Sequence, residues 1–148
     1  MSDRELPKPQ TYDDLYPGRF MRAATLKGQQ VTLRIRDVRR EMLADEHVGE
    51  KLKAVVIFER TDLALVLCKT NGLCIKAMFG PVLSAWVGRR VTLYPAPKAW
   101  KGEDAIRVWG SPDIERDITA EIVLPRKKPR QMVLRRVVRH PAADQVPA

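Results

Sequence analysis

Cysteine and histidine are almost absent from the chain, two of each in 148 residues, and the scarcity excludes several chemistries. Cys68 and Cys74 cannot build a disulfide framework and belong to no CxxC pair. His47 and His140 stand in unrelated contexts, so no zinc site is expected. Long apolar runs are missing as well; nothing approaches the roughly 20 residues of a membrane helix. Met1 to Gln10 is polar and proline-bearing rather than an apolar export signal, which points to a soluble protein of the cytoplasm with no membrane partner. There is no glycine-rich phosphate loop, no GxSxG turn and no pair of carboxylates on a readable motif, so neither an enzyme nor a cofactor is expected. Asp13-Asp14 precedes an aromatic-rich turn with no third carboxylate at a readable spacing, and is not read as a metal pair.

What is present is alternation. Val31, Leu33 and Ile35 alternate with Thr32, Arg34 and Arg36, the period of a strand with one buried and one wet face. Leu52 to Glu59 is a β-branched run ending at the Arg60-Thr61-Asp62 turn, and Leu63 to Leu67 follows as an apolar strand; the two should form a tight hairpin. Thr70 or Asn71 can cap a helix through Leu73, Ile75, Ala77 and Phe79, which Gly80-Pro81 ends. That helix is apolar on nearly every face except Lys76, so burial all round is expected, with Cys68 and Cys74 as small core residues. Trp86, Phe58 and Phe79 also read as core. A strand from Arg90 to Tyr94, a long turn from Pro95 to Glu103 and a strand from Ala105 to Trp109 complete the segment. Five short strands with one helix between the third and fourth is the element order of an OB-fold barrel, a partly open Greek-key barrel that binds oligonucleotides or oligosaccharides.

The expected fold is therefore mainly β, an OB-like five-stranded barrel with a C-terminal β-hairpin or basic arm. The division is an N-terminal arm or short cover over 1–20, the barrel over 21–110, a basic extension over 111–140 and a disordered tail over 141–148. Tyr12, Leu15, Tyr16 and Phe20 flank a Pro17-Gly18 turn and could lie across the barrel. Ser111-Pro112-Asp113 is a helix-start signature. Ile118, Ala120, Ile122 and Leu124 alternate with polar neighbours, Gln131 to Val138 is β-prone, and Pro125-Arg126-Lys127-Lys128-Pro129-Arg130 lies between them.

Charge narrows the function. A net charge of +9 on a small domain attracts polyanions by Coulomb steering and counterion release; the plain alternative is a basic surface that only confers solubility. Arg126, Lys127, Lys128, Arg130, Arg135, Arg136 and Arg139 cluster without an acid among them. Arg34 and Arg36 share a wet face by alternation, with Arg39 and Arg40 following. Glu41, Asp45, Glu46 and Glu50 fall in the connection after strand one, a poor phosphate contact. Single-strand binders stack bases on aromatic rings while cations track the phosphates, and Trp100 sits in a polar turn between Lys98 and Lys101. On strand five Ile106 and Val108 suit the core, which turns Arg107 and Trp109 outward; Tyr94 lies opposite Val91 and Leu93. The candidate groove thus comprises Tyr94, Trp100 and Trp109 with Arg34, Arg36, Lys98, Lys101 and Arg107, joined by Arg126, Lys127, Lys128 and Arg130. The alternative is that Tyr94 and Trp109 pack beneath the C-terminal hairpin or the N-terminal cover.

Several stretches carry a family resemblance: Tyr12 to Phe20, Lys69-Thr70-Asn71, Met78-Phe79-Gly80, Trp86 to Tyr94, Ile106-Arg107-Val108 and Pro125 to Pro129. Together they resemble a group of small bacteriophage and prophage proteins with an OB-type fold, over about Tyr12 to Arg136. The resemblance implies single-stranded DNA binding in phage replication or recombination, inside a bacterial host, with replication or recombination proteins as partners. Bacterial single-stranded DNA-binding proteins carry an acidic C-terminal tip; this chain ends Pro141-Ala142-Ala143-Asp144-Gln145-Val146-Pro147-Ala148, so recruitment by such a tip is not expected. The competing class is a protein-interaction or assembly module of a phage, docking a host or phage protein. Binding of RNA and homo-oligomerisation are left open, since stacking and charge serve RNA equally well.

Overall fold

The computed structural model describes residues 19–45 and 48–138. Tyr12, Leu15 and Tyr16, Asp13-Asp14, Glu46, His47, Arg139, His140 and the tail 141–148 lie outside the described residues.

The chain forms strands β1 (Val31–Asp45), β2 (Gly49–Phe58) and β3 (Leu65–Val66), helix α1 (Lys69–Phe79), then β4 (Arg90–Trp100), β5 (Glu103–Ser111), β6 (Ile118–Ile122) and β7 (Arg130–Arg136). The strands make one seven-stranded sheet in the order β3-β2-β1-β4-β5-β7-β6. The β-rich class and the helix between the third and fourth strands match the sequence pattern. The closed five-stranded barrel does not form: the sheet is open. Closure would bring β3 against the free edge of β5, but β3 is only two residues long. That edge of β5 is taken instead by β7, which runs parallel to it through Gly110–Arg135 and Ser111–Arg136. The two backbones meet so closely that a Cβ on Gly110 would lie 1.8 Å from the Arg135 carbonyl oxygen.

Local chemistry accounts for the other departures. β1 continues to Asp45 and pairs with β2 down to Asp45–Gly49, so the acidic connection expected after strand one is a two-stranded ribbon. β4 runs through the expected long turn as far as Trp100 before β5 begins at Glu103. α1 is capped by Cys68, whose Sγ accepts from the Asn71 N–H at 3.5 Å, and stops at Gly80 with φ 91°. One face of α1, carrying Thr70, Asn71, Cys74 and Ile75, is buried, while Lys69, Lys76 and Ala77 are exposed. Cys68 is exposed because it lies at the helix mouth rather than in the core; Cys74 is buried. Burial pushes the Cys74 thiol up to about 11, which keeps it unreactive. No helical turn forms at Ser111; its Oγ accepts instead from the Asp113 N–H at 2.9 Å.

The core lies between one face of the sheet and α1. Ile35, Val91, Leu93, Val108, Ile75 and Phe58 meet there, together with Ile122 and Leu134 from the β6–β7 hairpin. The hairpin therefore packs its apolar face into the same core. Each such side chain contributes roughly 1.5–3 kcal/mol of burial. Trp86 is buried at 4 % exposure and its Nε1 donates to the Gly80 carbonyl at 2.8 Å.

Candidate nucleic-acid interface

Strand alternation divides β4 into a core face with Val91 and Leu93 and an opposite face with Arg90, Thr92 and Tyr94, of which Thr92 is buried against Thr32. Two bulges shape this region. Thr92 pairs with Gly110 and Leu93 with Val108, which leaves Trp109 as the unpaired residue of β5. Further along, Ala96 pairs with Ala105 and Trp100 with Glu103, so 97–99 bow outward around Lys98, whose φ is 49°. A third bulge lies in β1, where Ile35 pairs with Phe58 and Asp37 with Ile57, leaving Arg36 over. Bulges re-aim side chains, and each of these falls on a residue singled out from the sequence.

At the first bulge the Tyr94 and Trp109 rings meet edge to face, centroids 5.3 Å apart and planes at 83°. They line a groove of about 230 Å³ with Val108, Met132, Val133 and Arg135. The β5–β7 pairing lasts only two residue pairs, and Trp109 of β5 and Val133 of β7, both just N-terminal to it, line the groove. Trp109 is 37 % exposed, so the C-terminal hairpin flanks it rather than burying it. Val133 and Arg135 belong to this groove and were missing from the sequence-derived set. The signal was there in the alternation of β7, which turns Met132 and Leu134 inward and Val133 and Arg135 outward, but nothing in the sequence said that β7 would lie beside Trp109.

The β4–β5 turn is exposed, as its polar sequence suggests. Trp100 is 51 % exposed and the Lys101 ammonium sits 4.6 Å from its ring centroid. The Lys98 N–H donates to Asp104 at 3.1 Å, which fixes the turn. Because β5 and β7 are parallel, their starting ends lie at the same end of the sheet. The Lys98–Lys101 turn and the exposed loop carrying Arg126, Lys127, Lys128 and Arg130 therefore project from one end. From Glu103 to Trp109 is six steps along β5, about 20 Å of strand, so the two exposed tryptophans mark the ends of a track.

Arg107 does not join the track. It is 9 % exposed, with its guanidinium donating to the carbonyls of Ile106 at 3.2 Å and Ala99 at 3.3 Å and to the Cys68 sulfur at 3.5 Å. A buried cation needs its donors satisfied, and the bowed segment 97–99 supplies an acceptor that strand parity could not foresee. Arg107 thus braces the Trp100 turn against the mouth of α1. Arg34 pairs with Arg90 at the far end of β4, on the face opposite the core, and donates to the Gly88 carbonyl at 2.6 Å. Arg36 is exposed, like Arg34, on the other side of buried Ile35, and it is the residue left over at the bulge.

Two acids stand beside the track. Asp113 accepts from Arg90 at its side chain (2.6 Å) and backbone N–H (2.7 Å). Burial by itself would raise its carboxyl, but the two Arg90 hydrogen bonds and the charges of Arg90 and Arg34 together hold it below the ordinary value. A carboxyl depressed in the folded state contributes stability that is present above its unfolded pKa and is lost as pH falls through its folded one. The protein is expected to lose melting temperature as pH drops below about 4, and Asp113→Asn is expected to flatten that slope while costing about 1.5–3 kcal/mol at neutral pH; thermal scans from pH 7 to 2.5 check both. Asp117 accepts from the Arg136 N–H at 2.8 Å and from the Arg135 side chain at 3.1 Å, interactions that likewise lower its pKa and hold Arg135 at the groove.

Among the described residues no helix is long and apolar enough to cross a membrane, and no cluster of histidine, cysteine and carboxylates could hold a metal ion. Comparison with known proteins finds no matching family model, no matching curated protein and no matching solved structure.

Proposed function

We propose that this protein binds single-stranded DNA without strong sequence preference, through the track that runs from the Trp100 turn to the Tyr94–Trp109 groove. The observation that carries the reading is the edge-to-face aromatic pair left open in a groove beside Arg135, with a second exposed tryptophan and two basic tips at one end of the same sheet. Exposed rings bind bases whatever their identity, because every base has a π-face, and lysine and arginine at the tips meet phosphates. The helix between the third and fourth strands, and the order β3-β2-β1-β4-β5 within the sheet, support an OB-type ancestry for this surface. Its work would be in replication or recombination of a bacteriophage or prophage, a binding role rather than an enzymatic one, in the host cytoplasm.

Titration of a labelled oligothymidylate, a duplex of equal length and an RNA strand at several salt concentrations tests the reading. Single strands are expected to bind more tightly than duplex, whose paired bases cannot stack in the groove. Affinity should fall with salt by about 0.7 log units per phosphate contact for each decade of concentration. Equal binding of duplex and single strand, or no binding at low salt, would sink the proposal.

A further inference from the structure

We propose that a second groove, at the first two turns of α1, docks a short extended peptide of acidic and apolar residues from a partner protein. The inference is independent of the single-strand reading, because this groove shares no residue with the aromatic one.

The groove has a volume of about 420 Å³ and is walled by Leu67, Leu73, Leu83 and Trp86. Lys69, Gly72, Leu73 and Lys76 all line it, and their i, i+3, i+4, i+7 spacing makes them one stripe of α1. The two lysines stand about 10 Å apart along the helix axis, one on either side of Leu73. No carboxylate lines the groove, and neither lysine has a salt-bridge partner among the described residues. Lys69 occupies the first helical position, and the first turn carries no acid. A cation there opposes the helix dipole, a local cost of the kind that sequences retain at functional positions. Next to the stripe Leu83 is 50 % and Val82 60 % exposed, so apolar surface continues beyond the lysines.

The backbone offers a further anchor. β3 pairs with β2 only at Val55 and Val56, and the Ala54 carbonyl accepts from the Leu67 N–H at 2.9 Å. On that side β2 has no pairing strand from Gly49 to Leu52 among the described residues, so an extended segment can add to its edge near Ala54, which lines the groove. Positive charge around an apolar trough selects carboxylates flanking aliphatic or aromatic side chains. A nucleic acid would find the lysines but no ring to stack on, since Trp86 is buried and tied to Gly80.

The test is fluorescence anisotropy with the full chain and a labelled decapeptide that alternates aspartate pairs with leucine–phenylalanine pairs. Expected are saturable binding that weakens with salt, and at least a tenfold loss in Lys69→Glu/Lys76→Glu and in Leu83→Asp. The double lysine variant should melt close to the parent, because the gain from a glutamate at the first helical position offsets the loss of Lys76 from the last turn, and a thermal melt of each variant separates loss of peptide from unfolding. Absence of binding, equal affinity for the lysine variant, or equal affinity for an all-aspartate peptide would overturn the proposal. Displacement of the peptide by oligothymidylate would assign the groove to nucleic acid. A parent that sediments as a dimer while the Leu83→Asp variant sediments as a monomer would assign it to a second copy of the chain, and either result would likewise overturn the proposal.

Discussion

Gly110→Ala is expected to lower stability by about 3 kcal/mol or more, the upper end of what overpacking costs, although it adds a single methyl group. At a position whose added Cβ would sit 1.8 Å from the Arg135 carbonyl oxygen and 2.6 Å from its nitrogen, the obstacle is backbone that no rotamer change can move aside. The β5–β7 pairing has to open, and with it goes the packing of Ile122 and Leu134 in the core. Urea denaturation of the variant beside Gly102→Ala supplies the comparison. Gly102 has φ 79° but nothing within 4 Å of an added Cβ, so its replacement strains one turn and leaves the sheet intact. Similar losses in the two variants would mean that the strands can part at Gly110 without consequence.

Removal of both exposed tryptophans is the second large effect. Trp100→Ala and Trp109→Ala should each weaken single-strand binding by about 1–3 kcal/mol, the range for losing one base–aromatic stack, and the losses should add, since the two rings sit about 20 Å apart along β5. The salt slope should hardly change. Replacing Arg126, Lys127, Lys128 and Arg130 with alanine should do the reverse, weakening every nucleic acid and flattening the slope by about 0.7 for each phosphate that is no longer neutralised. Thermal melts accompany both sets. Trp100 is half-exposed at a turn and the basic loop is exposed, so melting should barely move. A Trp100→Ala protein that unfolds, beside a loop variant that binds normally, would make Trp100 structural and turn attention to the helix-side groove.

Alternation along β1, β4 and β5 located the core strands, because a half-buried strand must repeat with period two, and Val31, Ile35, Val91, Leu93, Ile106 and Val108 are all buried. Trp100 was legible for a similar reason: a large ring among lysines and a glycine has no apolar neighbours to pack with. What alternation could not carry was its own interruptions. Parity gives no warning of a bulge, such as those that fall at Arg36 and Trp109. The fate of Arg107 depended on a carbonyl in the bowed segment 97–99 that no local pattern announces. The barrel failed on a non-local fact, since whether β3 or β7 takes the edge of β5 depends on Gly110 meeting a strand that begins twenty residues later.

The ribbon of β1 and β2 has a further consequence, for how the protein behaves when concentrated. Past Ile35, β1 has a pairing strand on one side only among the described residues: β4 stops at Arg34–Arg90, and from Arg36 to Asp45 no strand pairs with the other side. Such an edge invites a second strand, and stacked edges are where amyloid-like assembly begins. Here the invitation is blunted. The bulge at Arg36 twists the edge at its root, and Asp37, Arg39, Arg40 and Glu41 place charge along it, so an approaching copy in either direction must desolvate these groups to pair. Charged residues that neither build the core nor belong to the aromatic groove thus keep a long edge strand from recruiting its own kind.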